Sequence, residues 1–171
     1  MSKFILSILL CAGVAFSIGA VTQKTTLPPT KQILFICTGN FYRSRLAEAL
    51  FNQKARAAHL EWSAISRGLR MVSSQHGISP LAKRELLKRG VPPKECRGAP
   101  QVLTKEDLGQ SDYIILMNEA EHRPLLEAKF PGRDEGKIHY WHIADAGNMT
   151  PAKACQTISK AIDELLQKFQ R

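Results

Sequence analysis

Residues 32–36 form a short apolar run rich in β-formers that leads directly into a Gly-containing turn at residues 38–40. From Arg43 the spacing becomes helical, with Leu46, Ala49, Leu50 and Ala57 able to share one face. A buried strand, a tight loop and a helix in direct succession restrict the chain to folds built from strand–helix units. The rest of the sequence repeats the theme. Residues 112–117 and 138–143 read as further compact strands. Ser79-Pro80 supplies an N-cap and first-turn pair, followed by Leu81, Leu86 and Leu87, with Gly90 as the stop. Thr104 and Asp107 have capping-box spacing. Thr150-Pro151 opens a last helix whose Ala154, Ile158, Ala161, Ile162, Leu165 and Phe169 recur at core-facing intervals. The expected fold is a single α/β domain. Its sheet is four-stranded and mainly parallel, helices cover both faces, and the loop sits at the end of the first strand. Ligands in such sheets bind beyond the carboxyl ends of the strands, which is where Cys37 falls.

The chain of 171 residues can bury the core of one medium domain, and no composition shift marks a second. Its formal charge of +9 favours anionic partners. The basic residues are scattered, with no arginine-rich run and no aromatic-interleaved patch, so nucleic acid is not the expected partner. Residues 4–21 are apolar and interrupted only by small or polar residues, after Lys3. Residues 1–21 therefore read as a signal peptide or membrane anchor, 22–30 as a Thr/Pro-rich linker and 31–171 as the folded domain. Export is the expected destination, with possible membrane attachment through residues 4–21, and a cytoplasmic location if that segment is not a functional signal. An oxidising compartment permits a disulfide between Cys96 and Cys155; two buried thiols are the alternative.

Residues 37–45 read Cys-Thr-Gly-Asn-Phe-Tyr-Arg-Ser-Arg, so an arginine stands six positions after a cysteine at a strand-to-helix junction. A loop curling into a helix N-terminus turns backbone N–H groups inward, and the helix dipole adds positive potential, which together hold a phosphate dianion. Gly39 and Asn40 accept the unusual dihedrals this requires. The same field favours a thiolate, the reactive form of Cys37, and Ser44 is placed to donate a hydrogen bond to the sulfur. Arg43 presents a planar fork that can hold two phosphate oxygens and follow them into the transition state. His76, His122, His139 and His142 lack a metal-binding spacing and read as ordinary surface or core histidines.

The stretch Ile-Leu-Phe-Ile-Cys-Thr-Gly-Asn, then Arg-Ser, then Leu-Ala-Glu-Ala-Leu, resembles the low-molecular-weight protein tyrosine phosphatase family. The likeness continues through Ser66-Arg67-Gly68, the Leu-Thr-Lys-Glu-Asp-Leu segment at 103–108, residues 112–117 and Trp141-x-x-x-Asp145. The resemblance implies that Cys37 attacks phosphorus, that Arg43 binds the phosphoryl oxygens, and that Asp145 protonates the leaving oxygen and then activates water. It implies Thr38, Gly39, Asn40, Phe41, Tyr42 and Ser44 as the substrate-binding loop, no metal or other cofactor, and a phosphorylated protein or small phosphate monoester as substrate. Asp134, in Pro-Gly-Arg-Asp-Glu-Gly, reads as part of a solvated turn and is the weaker acid candidate.

The sequence departs from the family at three places. Tyr42 replaces a second loop cysteine, Ala146-Gly147-Asn148 replaces proline and aromatic residues after the aspartate, and Phe41 is bulky where related arginine-phosphate hydrolases carry a small hydroxyl residue. The last favours an aryl phosphate. The rival readings are arsenate reduction, which needs two further relay cysteines where Met117-Asn118-Glu119 offers none, and a phosphate-binding module without catalysis.

Overall fold

The computed structural model describes residues 31–70, 76–96, 98–145 and 147–170. It places the apolar run as β1 (Lys31–Cys37), a central strand buried on both sides from Ile33 onward. Ile33, Phe35 and Cys37 face one half of the core, and Leu34 and Ile36 face the other. That double burial is why β1 reads as a continuous apolar run and does not alternate.

β2 (Trp62–Gly68), β3 (Tyr113–Leu116) and β4 (Ile138–Tyr140) complete a sheet of order β2-β1-β3-β4 in which every pairing is parallel. On the Phe35 side lie α1 (Arg43–Ala57), α2 (Pro80–Lys88) and α5 (Pro151–Phe169). On the Leu34 side lie α3 (Lys105–Gln110) and α4 (Glu119–Lys129), which contribute Leu108 and Leu126. The two core halves flank one sheet, as expected of this class.

Most helix boundaries follow their capping chemistry. The Thr104 hydroxyl accepts from the Asp107 N–H while the Asp107 carboxylate accepts from the Thr104 N–H, a reciprocal capping box. Thr150 caps α5 through Lys153 N–H, and Gly90 ends α2 with φ +72°. Ser79 departs from expectation. Its hydroxyl makes no capping bond, and its backbone N–H instead donates to Phe41 O at 2.8 Å, tethering the start of α2 to the phosphate loop. Ala57 also leaves the expected buried face of α1 and is exposed at the helix end, where Phe51 and Ala55 are buried.

The strand that escaped the residue-by-residue reading is β2. Trp-Ser-Ala-Ile-Ser-Arg-Gly is half polar, yet it pairs in register with the whole of β1, and Phe169 of α5 stacks on Trp62 at 3.9 Å between ring centroids. Residues 1–30, the expected signal peptide or anchor and linker, lie outside the described residues. Among the described residues no helix is long and apolar enough to cross a membrane. Cys155 is a free thiol, fully buried in α5, and the Cys96 side chain lies outside what the structure describes.

Candidate active site

The turn between β1 and α1 is short because one residue absorbs the reversal. Asn40 takes the left-handed conformation at φ 50°, which asparagine tolerates at low cost. Gly39 needs no positive φ, contrary to the expectation for both residues. Among the described residues, none of the backbone N–H groups of residues 38–42 has a protein acceptor. Five consecutive orphan donors at the mouth of a fifteen-residue helix form a ready anion cradle.

The space this loop occupies is made by Gly68. A side-chain Cβ there would lie 2.8 Å from the Asn40 nitrogen and 2.9 Å from the Gly39 carbonyl carbon, so only glycine lets β2 run beside the loop. Gly68 is also the register partner of Cys37. Residues 68–70 fasten the loop from that side: Leu69 N–H donates to Cys37 O and Arg70 N–H to Thr38 O.

A polar chain orients the Cys37 thiol. Gln101 N–H donates to Asn40 Oδ1 at 2.8 Å, which fixes the amide so that its Nδ2 donates to Ser44 Oγ at 3.1 Å and to Ser66 Oγ at 2.7 Å. Because Ser44 Oγ accepts from Asn40, its own proton is directed at Cys37 Sγ, 3.0 Å away. Ser66 in turn donates to Glu48 at 2.5 Å, and burial raises the Glu48 pKa against the pull of that bond and of Arg45 and Arg67.

Arg43 is 2% exposed and is held on three sides. Its Nη1 donates to Ile143 O at 2.9 Å, its Nη2 pairs with Glu121 at 2.7 Å, and its Nε lies 3.5 Å from Asp145 Oδ1. Asp145 arrives because the chain beyond β4 keeps pairing with β3. Trp141 N–H donates to Leu116 O and Ile143 N–H to Met117 O, and a turn then bonds Asn148 and Met149 N–H to Asp145 O. The Asp145 side chain is 58% exposed, open to an incoming ligand. Trp141 packs on Phe35, 5.5 Å between ring centroids, so it belongs to the core.

His122, read from sequence as an ordinary histidine, lies fully buried beneath the loop. Asn118 N–H donates to its Nδ1 at 3.0 Å, so the neutral ring carries its proton on Nε2, which donates to Thr38 Oγ1 at 3.2 Å. Burial, and then the Arg43 charge, push its pKa down to about 4, which keeps it neutral at physiological pH.

The neighbouring loop residues Phe41 and Tyr42 differ in burial. Phe41 is half-buried at the loop. Tyr42 is 7% exposed and packs into the α1, α2 and α5 side of the core, so its part in the loop is its backbone. Burial pushes its phenol up to about 12, helped by the neighbouring Cys155, Asp145 and Glu85. Asp134 lies away from this constellation and caps the turn at Glu135–Lys137 through Gly136 N–H.

Residues 32–170 match the family described as low molecular weight phosphotyrosine protein phosphatase. The chain belongs to this family. The pig enzyme of that name is 33% identical over 98 residues, covering 56% of this chain and 60% of its own length. The protein-arginine-phosphatase of Bacillus subtilis is 29% identical over 106 residues, covering 62% of this chain and 67% of its own. The chain thus spans about three fifths of the pig relative's length. Among solved structures, the low molecular weight protein tyrosine phosphatase from T. tengcongensis superposes with a TM-score of 0.72 at 26% identity, covering 81% of this chain and 99% of that one.

The family likeness centres on Cys37, Arg43 and Ser44; Glu121 and His122 had no sequence signal of their own. Helical spacing puts both in the first turn of α4, but only the β1–β3 pairing brings that turn to the loop. Ser66 and Gly68 stood within the Ser-Arg-Gly resemblance without an assigned task.

Proposed function

We propose that this protein hydrolyses phosphate monoesters, with aryl esters such as phosphotyrosine preferred, through a phosphocysteine intermediate. The observation that carries the reading is the run of backbone amides at residues 38–42 without a protein acceptor, set between Cys37, whose Sγ lies 3.0 Å from Ser44 Oγ, and the buried Arg43. The phosphoryl group sits in that cradle, and Cys37 Sγ forms a bond to phosphorus as the ester oxygen leaves in line. Asp145 gives its proton to that oxygen, because a phenoxide or alkoxide leaves poorly unprotonated. The resulting carboxylate then takes a proton from water, which attacks the phosphocysteine and releases phosphate and the Cys37 thiolate. Arg43 and the amides stabilise the equatorial charge in both steps.

Phe41 supports the aryl preference, since a half-buried aromatic residue within the loop is suited to pack on a phenyl ester. The arginine phosphatase relative makes phosphoarginine the substrate to compare. Arsenate reduction is not favoured: Cys155, the other thiol whose side chain is described, is fully buried in α5. Export through residues 1–21 belongs to the same proposal, and sequencing the mature N-terminus tests it.

Rapid quenching with a radiolabelled aryl phosphate tests the chemistry. Label bound to Cys37 in the wild type, absent in Cys37→Ser together with turnover, is the expected result. Full turnover by Cys37→Ser would remove the proposal.

A further inference from the structure

The Leu34 side of the sheet carries a cavity of about 570 Å3, enclosed by α3, the end of α4 and the turn that leads into β4. None of residues 37–44 lines it, so it is separate from the phosphate loop. Its volume is that of a small-molecule site. Its lining has two characters. Ile114 and Ile138, with Leu108 and Phe130 packed beside them, form an apolar wall continuous with the core on this side. Lys105, Lys129 and Lys137 supply cationic groups around it.

Among the described residues these lysines make no ion pair, and Lys129 Nζ lies 5.8 Å from the Phe130 ring centroid. Lys129 Nζ donates to Leu69 O at 3.1 Å and Lys137 Nζ to Ser111 O at 3.2 Å, both neutral carbonyls. Among the described residues, lysine ion pairs are made by Lys54, Lys88 and Lys160 instead. The one carboxylate in the lining, Asp134, is exposed and already accepts from Gly136 N–H. Arg133 also lines the cavity, with its side chain 8% exposed. It pairs with Glu127 and Glu135, which lie outside the lining, and interacts with Tyr140, also outside it. Like charges converging on a concave, partly apolar surface focus a positive potential there.

We propose that this cavity binds an amphipathic organic anion: an aromatic or aliphatic group seated on Leu108, Ile114, Phe130 and Ile138, with a carboxylate, sulfonate or phosphate held among Lys105, Lys129 and Lys137. The site is independent of the phosphatase reading, since it shares no lining residue with the loop. Its ligand is distinguished from a phosphatase substrate by needing no scissile ester.

Titration of the isotope-labelled chain with naphthalenesulfonate, followed by amide NMR, tests it. The expected result is saturable binding with shifts centred on Gly109 and Gly132, weakened about tenfold or more in Lys129→Gln/Lys137→Gln and weaker again for neutral naphthalenemethanol. Lys105→Gln, at an exposed position, gives the same direction of change should the double variant fold poorly. Shifts confined to residues 37–44, no saturable binding, or undiminished affinity in the lysine variants would each overturn the site.

Discussion

Arg43 is a buried cation whose position is decided by a partner from another element. Taking a guanidinium out of water is costly unless partners offset its charge, and Glu121, Ile143 O and Asp145 do so for three of its five N–H donors. Glu121 therefore sets the angle at which Arg43 meets the phosphate loop. Glu121→Gln keeps an acceptor but loses its charge, and the expected outcome is about a tenfold fall in kcat/KM for an aryl phosphate, measured by steady-state kinetics. Asp145→Ala is expected to slow turnover by about a hundredfold or more for poor leaving groups and much less for good ones, the signature of a lost general acid. Asp134→Ala, which removes a turn cap, leaves both unchanged. Equal effects of the two aspartate variants across leaving groups would place the acid elsewhere.

At the scale of elements, the loop is shaped by the strand beside it as much as by its own residues. β2 holds Gly68 opposite Cys37 and Ser66 against Asn40, so a half-polar strand is tolerated because its polar residues serve the loop. Gly68→Ala forces a methyl group into the Asn40 and Gly39 backbone. The expected outcome is a loss of about 1–3 kcal/mol in chemical denaturation together with loss of aryl phosphatase activity, because the loop must shift to admit it. Helix boundaries at Thr104, Thr150 and Gly90 were legible because capping is local chemistry. β2 was not legible, because its pairing to β1 is decided by a partner some thirty residues away and its alternation carries only weak apolar contrast.

For the whole molecule, His122 ties fold stability to the site. Its folded pKa of about 4 lies below the ordinary 6.5, so between those values the unfolded chain binds a proton that the folded chain does not. Stability is then fully present above pH 6.5 and falls as pH drops towards 4, by about 3 kcal/mol in all. Denaturation midpoints measured across that window in wild type and His122→Gln are expected to diverge at high pH and converge at low pH, since glutamine does not titrate. The sequence by itself determined the strand–loop–helix unit, the cysteine and arginine at fixed spacing and the parallel α/β class, since these rest on periodicity and on contacts between chain neighbours. Only the tertiary structure decided that Glu121 holds Arg43, that a neutral His122 supports Thr38, that Tyr42 turns into the core and that three lysines face one cavity. Those pairings join residues far apart in the chain, and each depends on how the sheet orders its strands and on which groups burial strips of water.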